Sequence, residues 1–449
     1  MQPHSVAEQV DQRPVSSRQI LLVVLVVMGL TLDGLDIHLL AYVTPIILHE
    51  WGTTKSAFAP ALAAALVGMA CGSWLGGKLG DRFGRKPALI ANMIGFGTFT
   101  AIAGLTSNVV ELTALRYLSG VGFGAAVPNG FALATEWLPQ RFRSHVVAGL
   151  LVATPVGGMV GAGLSLLLLP IVGWRGCFIV SGAITIFLGV IMLAWAPESL
   201  NWMVRARAGG RAKLQFRRMT GGVLLLESES DPATRVSSTT IFTADLARLN
   251  IGASIAFFAI GFVIYGLASW MPTILMSNGL SMPDALHGSF VFNMLAIPGA
   301  LSMGWLVDRV GSRRTLLVAC LGTVAFVAIV ALILTHGASA VPYSTEIILG
   351  TFALCGATTA AASTSIAAIL AAGYPVDCRA SGIGFAMMTN RLGGIAAILS
   401  SGWLLTISTS NPVLFFISMI CALAIATGGV IVIDRHIVPG RPAPLPIGP

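Results

Sequence analysis

The stretch Gly77-Lys78-Leu79-Gly80-Asp81-Arg82-Phe83-Gly84-Arg85-Lys86 decides the fold, because it occurs twice. Its second copy, Gly304-Trp305-Leu306-Val307-Asp308-Arg309-Val310-Gly311-Ser312-Arg313-Arg314, keeps Gly, Leu, Asp-Arg and Gly in register and again ends in basic residues. Each copy is a short polar connection between two long apolar runs. The chain therefore reads as a duplication, and duplicated halves are the plan of proteins that rock around a central site.

Outward from the two copies, turn signals and charges divide the sequence into twelve apolar spans, at residues 20–48, 58–79, 88–106, 110–136, 145–170, 175–196, 249–275, 287–307, 315–336, 345–373, 380–408 and 412–433. About 20 apolar residues in a helix cross the hydrocarbon core of a bilayer. Composition agrees: 55% of the 449 residues are hydrophobic and 10% charged, with a mean hydropathy of +0.86. Roughly a quarter of the residues in soluble domains are charged. The expected class is an all-α membrane protein of twelve transmembrane helices in two pseudo-symmetric six-helix bundles. These are residues 1–198 and 249–449, joined by a cytoplasmic linker at 199–248.

The net charge of +8 would fit a nucleic-acid partner only if the basic residues formed one surface, and they are dispersed between spans. Their positions report topology instead. With the N-terminus in the cytoplasm, only Lys55 and Arg175 fall at the outer ends, and only Arg116 and Arg391 fall deep within spans. All other basic residues lie on the inner side, which is the positive-inside bias of a bacterial-type inner membrane protein. The polar Met1–Gln19 leads directly into a full-length span, unlike a cleaved signal peptide. The linker holds Arg205, Arg207, Arg211, Lys213, Arg217 and Arg218, then Glu227, Glu229 and Asp231. A basic start beside a membrane suits contact with anionic lipid headgroups; a solvated loop explains it without further function. The tail from Pro439 to Pro449 has the composition of a disordered segment.

The first span carries two acids, Asp33 and Asp36, in Leu32-Asp33-Gly34-Leu35-Asp36. Acids at that depth are costly and usually belong to an ion or substrate pathway, and three residues apart they share a helical face. At ~1.5 Å per residue Asp33 lies roughly 20 Å from the inner end, Arg116 about level with it, and Arg391 about 16 Å up. Arginine stays charged at working pH and its planar fork matches a carboxylate. This chemistry suits an organic anion: Arg391 or Arg116 holds it, and Asp33, Asp36 or both carry the coupling proton. The alternative pairs Arg116 permanently with Asp33 as a structural ion pair. Tyr42, Phe123, Tyr265 and Phe385 lie at depths where a ring could stack, though aromatic residues also simply pack helices; Trp270 reads as an interface anchor. His38 lies off the Asp33 face.

At the inner helix ends Asp81, Arg82, Arg85, Glu136, Asp308 and Arg309 are expected to join ion-pair clusters that gate the pathway; the alternative for the basic residues is topological anchoring alone. Gly120 and Gly124 share a face with Arg116, and Gly157 pairs with Gly161 behind Pro155, so helices can approach closely there. The six cysteines show no metal or redox spacing, and no nucleophile–base constellation of an enzyme is visible. The linker is too short for a folded sensing domain. A channel would conduct without proton dependence.

These residues carry a resemblance. The two loop copies, the run Arg116-Tyr117-Leu118-Ser119-Gly120-Val121-Gly122-Phe123-Gly124 and the Gly-rich fifth span are similar to the major facilitator superfamily over nearly the whole chain. Asp33-Gly34-Leu35-Asp36, Pro128-Asn129, Pro197-Glu198-Ser199 and Tyr374-Pro375 with Arg379 resemble the aromatic acid:proton symporters. The second loop copy departs from the pattern, with Ser312 where an Arg is usual. The resemblance implies a monomeric symporter that imports an aromatic carboxylate such as a hydroxybenzoate, with protons as coupling ion and no cofactor or metal. A porter of another organic acid and an exporter of the same fold remain as alternatives.

Overall fold

The computed structural model describes residues 6–206, 208–225, 241–336, 344–375, 378–408 and 411–437. The expectations for Arg207, for the acidic linker residues Glu227, Glu229 and Asp231 and for the tail beyond Pro439 lie outside these residues.

All regular structure among the described residues is helical, since a span without water alongside must satisfy its backbone within itself. In order come α1 (Val6–Asp11), α2 (Ser17–Trp51), α3 (Lys55–Phe83), α4 (Arg85–Ala103), α5 (Val109–Glu136) and α6 (Gln140–Trp195). Next are α7 (Leu200–Arg205), α8 (Gly209–Thr220), α9 (Ala247–Ser277), α10 (Met282–Val310), α11 (Ser312–His336), α12 (Ser344–Gly373), α13 (Arg379–Ile407) and α14 (Val413–Val432). The twelve spans of the sequence map onto α2–α6 and α9–α14, because α6 carries the fifth and sixth together. It bends at Gly173, where φ is +65°.

The repeated motif turns out to be a joint of one residue. Only Gly84 separates α3 from α4 and only Gly311 separates α10 from α11, with φ of +103° and +88°. Each glycine closes one helix and opens the next. The Gly84 N–H donates to Gly80 O (3.1 Å) while its carbonyl accepts from Ala88 N (3.3 Å); Gly311 does the same with Val307 O (2.9 Å) and Thr315 N (3.2 Å). A side chain is strained at such a φ, which explains why both copies keep this glycine.

Packing repeats the duplication. An added Cβ at Gly34 of α2 would lie 2.2 Å from Thr154 O of α6, and one at Gly157 of α6 would lie 2.0 Å from Thr31 O of α2. The corresponding helices of the second half, α9 and α13, touch in the same reciprocal way through Gly261 against Asn390 O (2.1 Å) and Gly393 against Phe258 O (1.9 Å). Backbones in van der Waals contact leave no room for side chains, the small-residue packing of membrane helices.

By compactness the chain forms two units: Met1–Ile37, Ala64–Gly157 and Leu168–Thr234 in one, His38–Ala63, Gly158–Leu167 and Arg235–Pro449 in the other. In the first unit, the charge pattern of the linker predicts a solvated loop, but α8 is a folded amphipathic helix. It buries Ala212, Phe216 and Met219 and exposes Arg211, Lys213, Arg217 and Arg218. The segment around α1 covers it. Gln9 exchanges two hydrogen bonds with the Leu225 backbone (2.8 and 2.9 Å), Ser16 Oγ donates to Met219 O, and the Arg13 guanidinium lies over the Phe216 ring. In the second unit Trp270 is 0% exposed and donates from Nε1 to Ile398 O (3.1 Å). It is a core residue rather than an interface anchor, because a carbonyl on α13 gives its N–H the partner that lipid headgroups would otherwise supply.

Candidate substrate and proton site

The acidic motif of α2 is buried: Asp33 is 4% and Asp36 3% exposed. Gly34 between them makes this depth accessible, since its missing side chain lets α2 lie directly on α6. Arg116, 1% exposed, reaches Asp36 from α5. Its Nη1 donates to Asp36 Oδ2 at 2.7 Å and its Nη2 to the Asp36 carbonyl at 3.0 Å. Thr100 of α4 donates from Oγ1 to the other carboxylate oxygen, also at 3.0 Å. The Arg116 guanidinium lies 5.9 Å from the centre of the Phe178 ring. The arginine's Nε has no hydrogen-bond partner among the described residues.

The sequence alternative of a pair between Arg116 and Asp33 thus falls on Asp36 instead. Both acids lie on one face of α2, and Thr100 sets the choice by completing the carboxylate's second oxygen. Such a pair is stable only when geometry and extra hydrogen bonds offset the removal of both charges from water.

In the second unit Arg391 is half-buried on α13. Tyr265 of α9 packs its ring against Gly394, where an added Cβ would come within 2.4 Å of it. Gly394 is three residues beyond Arg391 and on the same face of α13. Phe385 lies elsewhere. Six residues before Arg391, it meets Phe242 edge-on at 5.5 Å and lines a cleft of about 570 Å3 with Asn250 and Ser254. Tyr42 is fully buried and donates to Gly158 O (2.8 Å), and Phe123 packs edge-on against Phe96; both are core rings.

At the glycine joint of the first half the expected ion-pair cluster is present. Arg85 pairs with Glu136 (3.1 Å) and approaches Asp81 (3.8 Å), which Arg205 of α7 also approaches at 3.8 Å. Two members were not singled out from the sequence. Glu198 accepts from the first backbone amides of α4, Arg85 N (2.9 Å) and Lys86 N (3.0 Å), where the helix dipole favours an anion. Ser199 donates to Glu136 at 2.5 Å. Their signal was the Pro197-Glu198-Ser199 motif, which reads as a span end but not as a cap for a distant helix.

The rest of the expected cluster is corrected. Arg82 is exposed and lies over the Phe83 ring, because only the residue four beyond Asp81 shares its face. In the second half that position is Ser312, which has no charge. Among the described residues Asp308 makes no ion pair, and Arg309 stacks over Trp305 at 4.2 Å. Ser312 serves the segment after α14 instead, accepting from Ile437 N (2.8 Å) beside His436. No group of three His, Cys, Asp or Glu among the described residues is placed to hold a metal.

Comparison with known proteins gives these geometries a setting. The profile described as Major Facilitator Superfamily matches residues 26–351 and 303–447. A gallate transporter of Pseudomonas putida is 29% identical over 438 residues, 95% of each chain. The 4-hydroxybenzoate transporter PcaK of the same organism is 27% identical over 436 residues, 94% of each chain. Among solved structures, a crystal structure of a D-xylose-proton symporter shares the fold with a TM-score of 0.71 and 18% identity, covering 92% of this chain and 97% of that one.

Proposed function

This chain belongs to the Major Facilitator Superfamily, and we propose that within it the protein is a proton-coupled symporter that imports an aromatic carboxylate by alternating access. A transporter rather than an enzyme, it is an integral multi-pass membrane protein. We place it in the inner membrane of a bacterial-type cell, with both termini cytoplasmic, working as a monomer among lipids. Its two moving bodies are the six-helix halves at 1–198 and 249–449, with 199–248 as the linker.

The observation that carries this reading is the buried pair of Asp36 and Arg116 in a chain whose relatives are named for gallate and 4-hydroxybenzoate transport. A proton on Asp36 removes the counterion of Arg116, and an incoming carboxylate restores it. Proton and anion then enter together as a neutral pair. This avoids the roughly 2.3 kcal/mol per 100 mV that opposes a lone anion entering a negative interior. Arg391 in the second half, with Tyr265 flanking the ring, is the alternative holder of the substrate carboxylate, and Asp33 one turn from Asp36 is the alternative proton carrier. Asp81, Arg85, Glu136, Glu198 and Ser199 hold the inner ends of the first half in one arrangement and so gate it.

The test is uptake of labelled 4-hydroxybenzoate, gallate and an aliphatic acid into proteoliposomes, with and without an inward proton gradient. Gradient-driven accumulation of an aromatic acid is expected, and it is lost in Asp36→Asn and Arg391→Ala. Equal accumulation without the gradient, or normal coupling in Asp36→Asn, would sink the reading.

A further inference from the structure

Another cavity, of about 690 Å3, lies where α2, α9 and α13 end and the chain turns into α3. Neither Asp36 nor Arg391 lines it, and all its lining residues belong to the second compact unit. Three features give it the character of a binding site rather than a solvent gap. Lys55, one of only two basic residues at the outer ends, lines it. Among the described residues no carboxylate forms an ion pair with that ammonium, and Glu50, close by in sequence, is not part of the lining.

The second feature is Thr273 of α9, 2% exposed, whose Oγ1 has no hydrogen-bond partner. A buried hydroxyl left unbonded destabilises a fold, so such groups call for an explanation. Two other hydroxyls on the wall are engaged: Ser277 Oγ donates to Thr273 O (2.8 Å) and Thr406 Oγ1 accepts from Ser56 N (2.9 Å). Third, the rest of the wall sets an apolar patch of Ile46, Leu48, Met276 and Leu405 beside His49, Thr53 and Thr54. A cation, a buried unbonded hydroxyl and an apolar patch with a polarisable thioether suit a ring bearing a carboxylate.

We propose that this cavity is a recruitment site on the outer face, which takes an aromatic carboxylate before it enters the transport pathway. Lys55 Nζ pairs with the carboxylate, Thr273 Oγ1 donates to it, and the ring rests on Met276, Ile46 and Leu405. The proposal rests on the import reading and on the orientation given above. It adds a site outside the midplane that raises the local concentration of substrate at the entrance.

The test uses full-length protein in proteoliposomes and a membrane-impermeant amine-acylating ester added from outside, with modification of Lys55 followed by mass spectrometry. Lys78, Lys86 and Lys213, on the opposite side, serve as controls. Saturating 4-hydroxybenzoate should slow acylation of Lys55 by at least about fivefold, equivalent to roughly 1 kcal/mol; equal chloride or benzyl alcohol should not. Thr273→Val, of the same shape, should abolish most of that protection. In uptake, Lys55→Gln should raise KM about fivefold with an unchanged maximal rate, and Lys55→Arg should restore it. Protection without any uptake would leave the site standing and remove the transport reading. Uptake with Lys55 unprotected, or an unaltered KM in Lys55→Gln, would overturn the site and leave transport intact.

Discussion

Removing one member of the Asp36–Arg116 pair should cost far more than removing both. In Arg116→Gln the Asp36 carboxylate keeps only the Thr100 hydroxyl and stays buried without its cation, a loss of about 3–5 kcal/mol for a buried pair broken on one side. Asp36→Asn has the mirror defect: the guanidinium keeps the Asp36 main-chain carbonyl but no counterion, and the cost is of the same order, about 3–5 kcal/mol. In the double variant two amides replace two charges at similar volume and can hydrogen-bond each other, so it should lie within about 2 kcal/mol of wild type. Unfolding free energies in mixed micelles for the four proteins close the cycle. These costs imply a coupling of at least about 4 kcal/mol, beyond the roughly 0.5–3 kcal/mol usual for residues in contact. All three variants should lose gradient-driven uptake, so the double variant separates folding from transport. Additive single costs, within about 0.5 kcal/mol, would refute the claim that the two groups act as a pair.

Gly34→Ala puts a methyl group 2.2 Å from the Thr154 carbonyl, and overpacking of this kind costs about 1–3 kcal/mol; an unchanged melting temperature in detergent would contradict the backbone contact. Glu198→Gln removes a charge from the start of α4 and should destabilise by about 0.5–1 kcal/mol, an effect that shrinks with added salt. Asp81→Asn should perturb transport while Asp308→Asn leaves it nearly unchanged, because only the first has a basic residue on its face. Burial, reinforced by Arg313 against the Val430 carbonyl, holds the His436 imidazole below the ordinary histidine range. The folded state therefore favours the neutral ring: its contribution is present above about pH 6.5 and is lost as pH falls through the lower folded value. Hydrogen exchange at the Ile437 amide, corrected for intrinsic rate, should accelerate over that window, and not in His436→Gln.

The duplication, the helix count and the acidic motif were legible because each is written in short-range pattern: apolar length, a repeated octet, two acids three apart. The partner of Arg116 was not, since Asp33 and Asp36 share a face and the choice depends on where Thr100 of α4 falls, a matter of register between helices. The loop copies read as polar connections of several residues, yet the charges belong to helix ends and only a glycine remains between. Trp270 had the composition of an interface residue; a carbonyl more than a hundred positions away decided otherwise. The clash with expectation at Asp308 was written in the sequence, as Ser312 four residues later.

The docking of α1 onto α8 has a consequence in time. The partner of Gln9 lies 216 residues further along the chain. At roughly 5–20 residues per second, a ribosome needs on the order of 10–40 s to reach it, and six spans enter the membrane in between. Through that interval neither Phe216 nor the Leu225 backbone yet exists to meet Arg13 and Gln9. The α1 segment is thus among the last pieces of the first half to find its place, although it is made before α2 to α8. A fusion that holds this end away would act on assembly after insertion, leaving insertion itself untouched.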